Sequence, residues 1–179
     1  DGDFQDRRFV DIINNDLANT IGNLLNRTSS MSRKWFENRV PNNERISNEN
    51  KLENLAIRTV ENYIKSFNIY KLDQAANEVL NLAINTNLYL NNYQPWLLIK
   101  ENNKLPVVKD IIYNVLESTR IIGLLLLPLL PELSSKINEQ LGSTYQKEMS
   151  WEQQLRWGLL ISNSKLPEPT PIINKLEYE

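Results

Sequence analysis

Two residue types are missing from the sequence altogether: it contains no histidine and no cysteine. That removes histidine-based catalytic triads, cysteine nucleophiles, disulfides and Cys/His zinc sites in one step. A di-iron bundle, whose helices need Glu-x-x-His pairs, is excluded as well. Glycine is scarce, 5 residues in 179, which counts against a fold made of many tight β-turns. Neither G-x-G-x-x-G nor G-x-x-x-x-G-K occurs, so no glycine-rich loop cradles a phosphate. There is little excess charge. A net charge of -2 and a pI near 5.4 give no global basic signature, and nucleic-acid binding would have to rest on a local patch. Long apolar runs are missing too: the most apolar stretch, residues 121–130, contains Gly123 and Pro128 and falls short of the roughly 20 residues of a spanning helix. It reads as buried core. Asp1-Gly2-Asp3 is acidic and has no apolar stretch behind it, unlike a secretory signal, so no membrane association is expected.

What remains is the composition of a folded chain. With 41% hydrophobic and 23% charged residues over 179 positions, the sequence supports one domain with a sizeable core rather than a disordered segment. Apolar or small residues recur in steps of three and four at Val10, Ile13, Leu17, Ile21, Leu24, Thr28, Met31 and Trp35, which predicts one long helix from about Phe9 to Trp35. Beside that stripe runs a polar row of Asn19, Asn23, Arg27, Ser30 and Lys34. Residues three or four apart share a helix face, so these side chains either act on one partner or form a solvated flank.

A connection around Pro41 leads to a second amphipathic helix from Leu52 to Phe67. A third carries small residues, Ala75, Ala76 and Ala83, on its inner face. Pro95 ends or kinks that helix, because proline lacks a backbone donor and restricts the residue before it. A fourth helix starts near Pro106 and runs into the apolar stretch, which Pro128 must bend or end. Pro131 opens a short fifth helix that stops at Leu141-Gly142. Beyond it, Trp151 and Trp157-Gly158 read as loop, and Pro167, Pro169 and Pro171 as an extended tail. The expected architecture is all-α, a bundle of about five helices over residues 1–142, with residues 143–179 as loop and tail packing back on it.

Carboxylates can be paired on paper, Glu37 with Glu44 or Asp73 with Glu78, but no apolar pocket or fixed spacing singles out an acid/base pair. Nucleic-acid binding has better footing. Arg27, Arg33, Lys34 and Arg39 form the one local basic concentration, with Trp35 inside it. Single-stranded bases are gripped by an aromatic face, hydrogen bonds to base edges and cations at the phosphates. Trp96, at a helix break, offers such a face; against this, a tryptophan beside a proline is most often a packing anchor.

Several strings occur together and in order: Asp16-Leu17-Ala18-Asn19, Gly22-Asn23-Leu24-Leu25-Asn26-Arg27, Asn87-Leu88-Tyr89-Leu90, Pro95-Trp96 with Lys100, Leu127-Pro128-Leu129-Leu130-Pro131, and Leu141-Gly142. In this the chain resembles the anticodon-binding domain of bacterial-type methionyl-tRNA synthetases over nearly its whole length. The resemblance implies a helical bundle that recognises the CAU anticodon of methionine tRNAs. The family's anticodon tryptophan falls on Trp96, and its base-contacting asparagine and arginine on Asn23 and Arg27. Arg33 and Lys34 are weaker candidates, for phosphate contacts. The partners implied are the anticodon loop of tRNA(Met) and a catalytic domain of the same polypeptide, in the cytoplasm or an organelle. No catalytic, metal or cofactor residue is expected here; ATP and Mg2+ belong to the parent ligase. The HIGH and KMSKS signatures and the zinc-knuckle cysteines are absent, and Met31-Ser32-Arg33-Lys34 only superficially resembles the second signature. Residues 171–175 depart from the family's closing tail. The alternative is a helical protein-interaction module with no RNA role, in which Trp96 and residues 121–130 bury against a partner.

Overall fold

The central helix, around which the others pack, takes in residues 121–126 of the most apolar stretch. Leu127 and Pro128 lie beyond its end and are exposed, and Leu129 and Leu130 are half-buried, so only the first part of residues 121–130 is the buried core expected. A computed structural model describes residues 17–46, 51–168 and 170. In chain order its helices are α1 (Ala18–Phe36), α2 (Lys51–Asn68), α3 (Leu72–Tyr93), α4 (Pro95–Leu98), α5 (Leu105–Leu126), α6 (Pro131–Gln140) and α7 (Trp151–Gln154). Five have ten residues or more, and α4 and α7 are single turns. The described residues contain no strand, only an isolated antiparallel bridge between Arg39 and Lys165.

Every residue from Ile111 to Leu126 on α5 is buried. A helix buried on all sides needs neighbours on all sides, and α1, α2, α3, α4 and α6 all contact α5. Fully burying each Leu or Ile contributes about 1.5–3 kcal/mol. The polar side chains of α5 are matched within the core: Ser118 Oγ and Thr86 Oγ1 lie 2.7 Å apart, and Asn114 donates to Tyr89 Oη at 3.3 Å. Gly123 lets α6 approach closely. A Cβ there would lie 2.8 Å from Ile137 Cγ2, and the bare carbonyl of Gly123 accepts a 2.7 Å hydrogen bond from Ser134 Oγ.

The buried row of α1, Leu17, Ile21, Leu24 and Thr28, follows the expected stripe. The part of that helix expected upstream, with Val10 and Ile13, lies outside the described residues. The helices α2 and α3 form an antiparallel hairpin, turned by Tyr70 in the left-handed region at φ 59°. Ala56 on α2 and Ala75, Ala76 and Ala83 on α3 are buried, and small side chains there permit close helix approach.

The segment after α6 departs from the loop expected around Trp151. Ser150 caps α7 reciprocally: Gln153 N donates to Ser150 Oγ at 3.2 Å, and Ser150 N to Gln153 Oε1 at 2.9 Å. This S-x-x-Q capping box explains why Trp151 opens a helical turn. Its indole Nε1 donates to Leu124 O at 2.7 Å.

Further on, the chain is pinned by a charge pair inside α5. Glu117 and Arg120, 0% and 2% exposed, are joined by hydrogen bonds of 2.9 and 2.7 Å. Glu117 also accepts the backbone N–H groups of Gly158, Leu159 and Leu160 at 2.7–3.1 Å. Arg120 donates to the carbonyls of Gln154 and Arg156, each at 2.7 Å. Burial of an ion pair is tolerable when its remaining donors and acceptors are met in this way. The chain then runs back along the end of α1. Val40 N donates to Ser164 O, Asn163 N to Val40 O, and Leu166 N to Asn38 O, at 2.9, 2.8 and 2.7 Å. Pro169, Pro171 and the apolar stretch 172–176 expected in the tail fall outside the described residues.

Candidate nucleic-acid interface

Pro95 opens a single-turn helix of its own directly after α3. The break is made by Gln94, in the left-handed region at φ 47°, ψ 58°. That conformation is uncommon for a residue with a Cβ. Gln94 N donates to Leu90 O at 3.1 Å to close α3, and Gln94 O accepts from Leu97 N at 2.9 Å to open α4. Proline suits the first helical position because its missing N–H would have no partner there. Pro95 is buried, and α4 packs on α5. Trp96 is thereby held half-buried: it rests against the core and keeps part of its ring accessible. It is neither a fully buried anchor nor a loose surface side chain.

The polar row of α1 lies across from it. Arg27 Cζ sits 5.4 Å from the centroid of the Trp96 ring, within reach of a cation–π attraction worth about 0.5–1 kcal/mol at an exposed site. Its Nη2 donates to Asn91 Oδ1 on α3 at 2.8 Å. A second asparagine of α3, Asn87, donates to Thr20 O on α1 at 3.2 Å and fixes α1 against α3 two turns earlier. Arg27 is therefore aimed by contacts from α3 and α4. Asn91 takes one of the five guanidinium N–H donors and leaves the others for acceptor atoms of a ligand.

Asn23 lies one helical turn before Arg27 on the same face and is exposed. Lys34, also exposed, is seven residues beyond Arg27, about 10 Å along the same row. Arg33 is turned away by roughly 120° around α1. It pairs with Glu168 and donates to Asn38 Oδ1 at 3.3 Å. Arg39 donates to Asn163 O at 2.9 Å. The basic concentration legible in the sequence thus divides in two: Arg27 and Lys34 face outward along one row, while Arg33 and Arg39 clasp the returning C-terminal segment. Trp35, inside that concentration, is half-buried and packs edge-on against Phe36.

The carboxylates paired on paper are not brought into a catalytic arrangement. Glu44 pairs with Lys109 at 3.3 Å, Glu37 forms the left-handed cap of α1, and Asp73 lies in the first turn of α3. Among the described residues no group of three or more Asp or Glu side chains is placed to hold a metal ion. No described helix is long and apolar enough to cross a membrane. Sequence reasoning passed over Asn91. Its only signal was a polar residue next to Leu90 in the last turn before Pro95.

Residues 40–177 match the family described as the anticodon binding domain of methionyl tRNA ligase. Trp96 lies within that span, and Asn23 and Arg27 precede it. Pairwise similarity extends over all three. The chain is 35% identical over 189 aligned residues to the methionine–tRNA ligase of Synechocystis sp., covering 99% of this chain and 35% of that protein. It is 34% identical over 181 residues to the Bacillus subtilis enzyme, covering 100% of this chain and 27% of that one. The free-state Mycobacterium tuberculosis methionyl-tRNA synthetase matches the fold with a TM-score of 0.75 at 26% identity, over 95% of this chain and 34% of that structure. A second structure of the M. tuberculosis synthetase, in complex with methionyl-adenylate, matches at TM-score 0.73 and 28% identity, over 91% and 32% of the two chains. The chain spans only 27–35% of the length of these relatives. Nothing in these matches supports a protein-interaction module. The chain belongs to the family of anticodon binding domains of methionyl tRNA ligases.

Proposed function

We propose that this chain is the anticodon-reading part of a longer methionine–tRNA ligase, and that Trp96, Asn23 and Arg27 do the reading. The observation that carries this is the pairing of a half-buried indole with a guanidinium aimed by Asn91. An accessible aromatic face holds a splayed base by stacking, worth about 1–3 kcal/mol. The free donors of Arg27 and the amide of Asn23 then meet base-edge acceptors, and a good bidentate pair discriminates by about 1–3 kcal/mol. Together these suffice for selectivity on a chain of net charge -2. The cognate anticodon is CAU, with its first base, cytosine, on Trp96. Lys34 meets a backbone phosphate farther along α1. Arg33 contributes to phosphate binding only if an RNA phosphate displaces Glu168, and an exposed ion pair of this kind is weak enough to be displaced.

The longer protein joins methionine to its tRNA through a methionyl-adenylate made from ATP with Mg2+. That chemistry belongs to a catalytic domain on the same polypeptide and uses none of the residues described. The part played by this chain is to make productive placement of the acceptor end depend on the correct anticodon. The test is Trp96→Ala, measured by fluorescence anisotropy against an anticodon stem-loop carrying CAU and one with the first base changed. The expected result is a loss of about tenfold or more in affinity for the CAU loop, with far-UV circular dichroism unchanged. Unchanged affinity in a folded variant would overturn the assignment.

A further inference from the structure

On the other flank of α3 lies a groove of about 490 Å³ between α2 and α3. Its walls include Lys51 and Arg58 from α2 and Asn85, Tyr89, Asn92 and Tyr93 from α3, over an apolar floor that includes Leu55. Two cations line it and no carboxylate does. Among the described residues, neither Lys51 nor Arg58 is part of an ion pair. Tyr89 and Tyr93, one helical turn apart, have ring centroids 4.6 Å from each other, and Tyr93 is 43% exposed. One exposed aromatic, Tyr93, backed by the half-buried Tyr89 and set beside these two cations and the side-chain amides of Asn85 and Asn92, gives the combination that single-stranded nucleic acid requires: a stacking face, phosphate partners and hydrogen-bonding groups for base edges.

The groove and the candidate interface share the last turn of α3. Asn91, which holds Arg27, and Asn92, which lines the groove, are adjacent in the last turn of α3. Successive helical residues point about 100° apart, so the two features lie on neighbouring faces of the same turn. The Trp96 break begins one residue beyond Tyr93. A helix is about 10 Å across, a width that a few nucleotides of flexible strand can cross.

We propose that this groove holds a second segment of the same RNA strand, with a base on Tyr93 and its flanking phosphates on Lys51 and Arg58. Asn85 and Asn92 then supply hydrogen bonds to the base edge. The inference rests on the reading of Trp96 and Arg27 as an RNA site and extends it to a track passing over the end of α3. Because the groove residues meet a different nucleotide from the one on Trp96, they add affinity without changing discrimination at the first anticodon base.

The experiment uses the full 179-residue chain and two RNAs, the CAU stem-loop and its first-base variant. Three exposed positions are changed: Tyr93→Ala, Arg58→Gln and, as a control at the far end of the same hairpin, Lys71→Gln. Tyr93→Ala is expected to weaken both RNAs about tenfold and equally. Arg58→Gln is expected to reduce the slope of log affinity against log salt by about one, and Lys71→Gln to change neither. Folding of each variant is checked by circular dichroism. In a second arm, inorganic phosphate and uridine monophosphate are titrated as competitors. Competition by either at low millimolar concentration without any effect of Tyr93→Ala on the stem-loop would assign the groove to a free nucleotide or phosphate and overturn the proposal. So would groove variants with wild-type RNA affinity while Trp96→Ala is impaired, a result that leaves the anticodon reading standing. The reverse pattern, groove variants impaired and Trp96→Ala unaffected, would sink the anticodon reading and retain the groove as an RNA site.

Discussion

The guanidinium carbon of Arg27 lies 5.4 Å from the Trp96 ring centroid, while a 2.8 Å hydrogen bond to Asn91 limits its rotation. This relationship separates what charge does at the site from what shape does. Arg27→Lys keeps the cation but loses the planar fork and the stacking surface. Its expected effect is an unchanged salt slope with discrimination at the first anticodon base reduced about tenfold. Arg27→Ala should lose discrimination and also lower the salt slope by about one. Binding isotherms between 50 and 200 mM salt distinguish the two.

Glu117 and Arg120 pin residues 154–160 onto α5. Glu117→Gln leaves the Arg120 guanidinium buried with its charge uncompensated and replaces one of the two oxygens that accept the N–H groups of Gly158, Leu159 and Leu160. Breaking one side of a buried pair costs roughly 3–5 kcal/mol. Urea unfolding should show that loss, and hydrogen exchange should lose protection first at the amides of Gly158, Leu159 and Leu160.

Gly123→Ala tests the contact between α5 and α6. Alanine is the better helix former by about 0.8–1 kcal/mol, yet the new methyl would sit 2.8 Å from Ile137 Cγ2 and 3.2 Å from Tyr145 Oη. Overpacking of this kind costs about 1–3 kcal/mol, so net destabilisation on the order of 1 kcal/mol is expected. In the background of Ile137→Ala, which removes the clashing atom, the same substitution should become neutral or stabilising. Thermal melts of the four proteins in this cycle give the coupling directly.

Alkaline pH should weaken the fold well before it affects backbone chemistry. Burial raises the Tyr89 hydroxyl from its ordinary 10.0 to about 12, and burial, with Glu117 adding to it, raises Tyr113 to about 12. Below pH 10 both tyrosines are protonated in the folded and unfolded chains, and their stabilising contribution is complete. As the pH rises from about 10 to about 12, the unfolded chain releases these protons first, so stability falls across that window. Melting temperatures measured from pH 8 to 11.5 should be flat at first and then decline, and Tyr113→Phe should shallow the decline.

Periodicity made the helices legible. The stripe Leu17, Ile21, Leu24 and Thr28 needs only a 3.6-residue repeat to be seen, and the row Asn23, Arg27 and Lys34 follows from the same geometry. The break at Pro95 was equally plain, because proline punctuates locally. What the sequence hid were relationships set by tertiary contact. Nothing local announces that Gln94 adopts a left-handed conformation, that Arg33 is spent on Glu168, or that Asn91 aims Arg27. The charged residues of α5 were passed over because an i,i+3 pair on a helix usually lies on a solvated face. The helical turn at Trp151 was missed for a different reason: Ser150 and Gln153 spell out its capping box, but two flanking weak patterns masked it.

The clasp at the end of α1 bears on the order in which the molecule is made. Arg39 and Asn163, joined across a sequence separation of 124, and the backbone exchange between Val40 and Ser164 close one of the widest loops in the structure. Contacts this distant form late, since loop-closure entropy must be met before they can stabilise anything. During synthesis the helix bearing Asn23 and Arg27 can coil and dock on α3 and α5 early, but the turn that follows it, through Val40, is tied down only after the segment near Leu166 has left the ribosome.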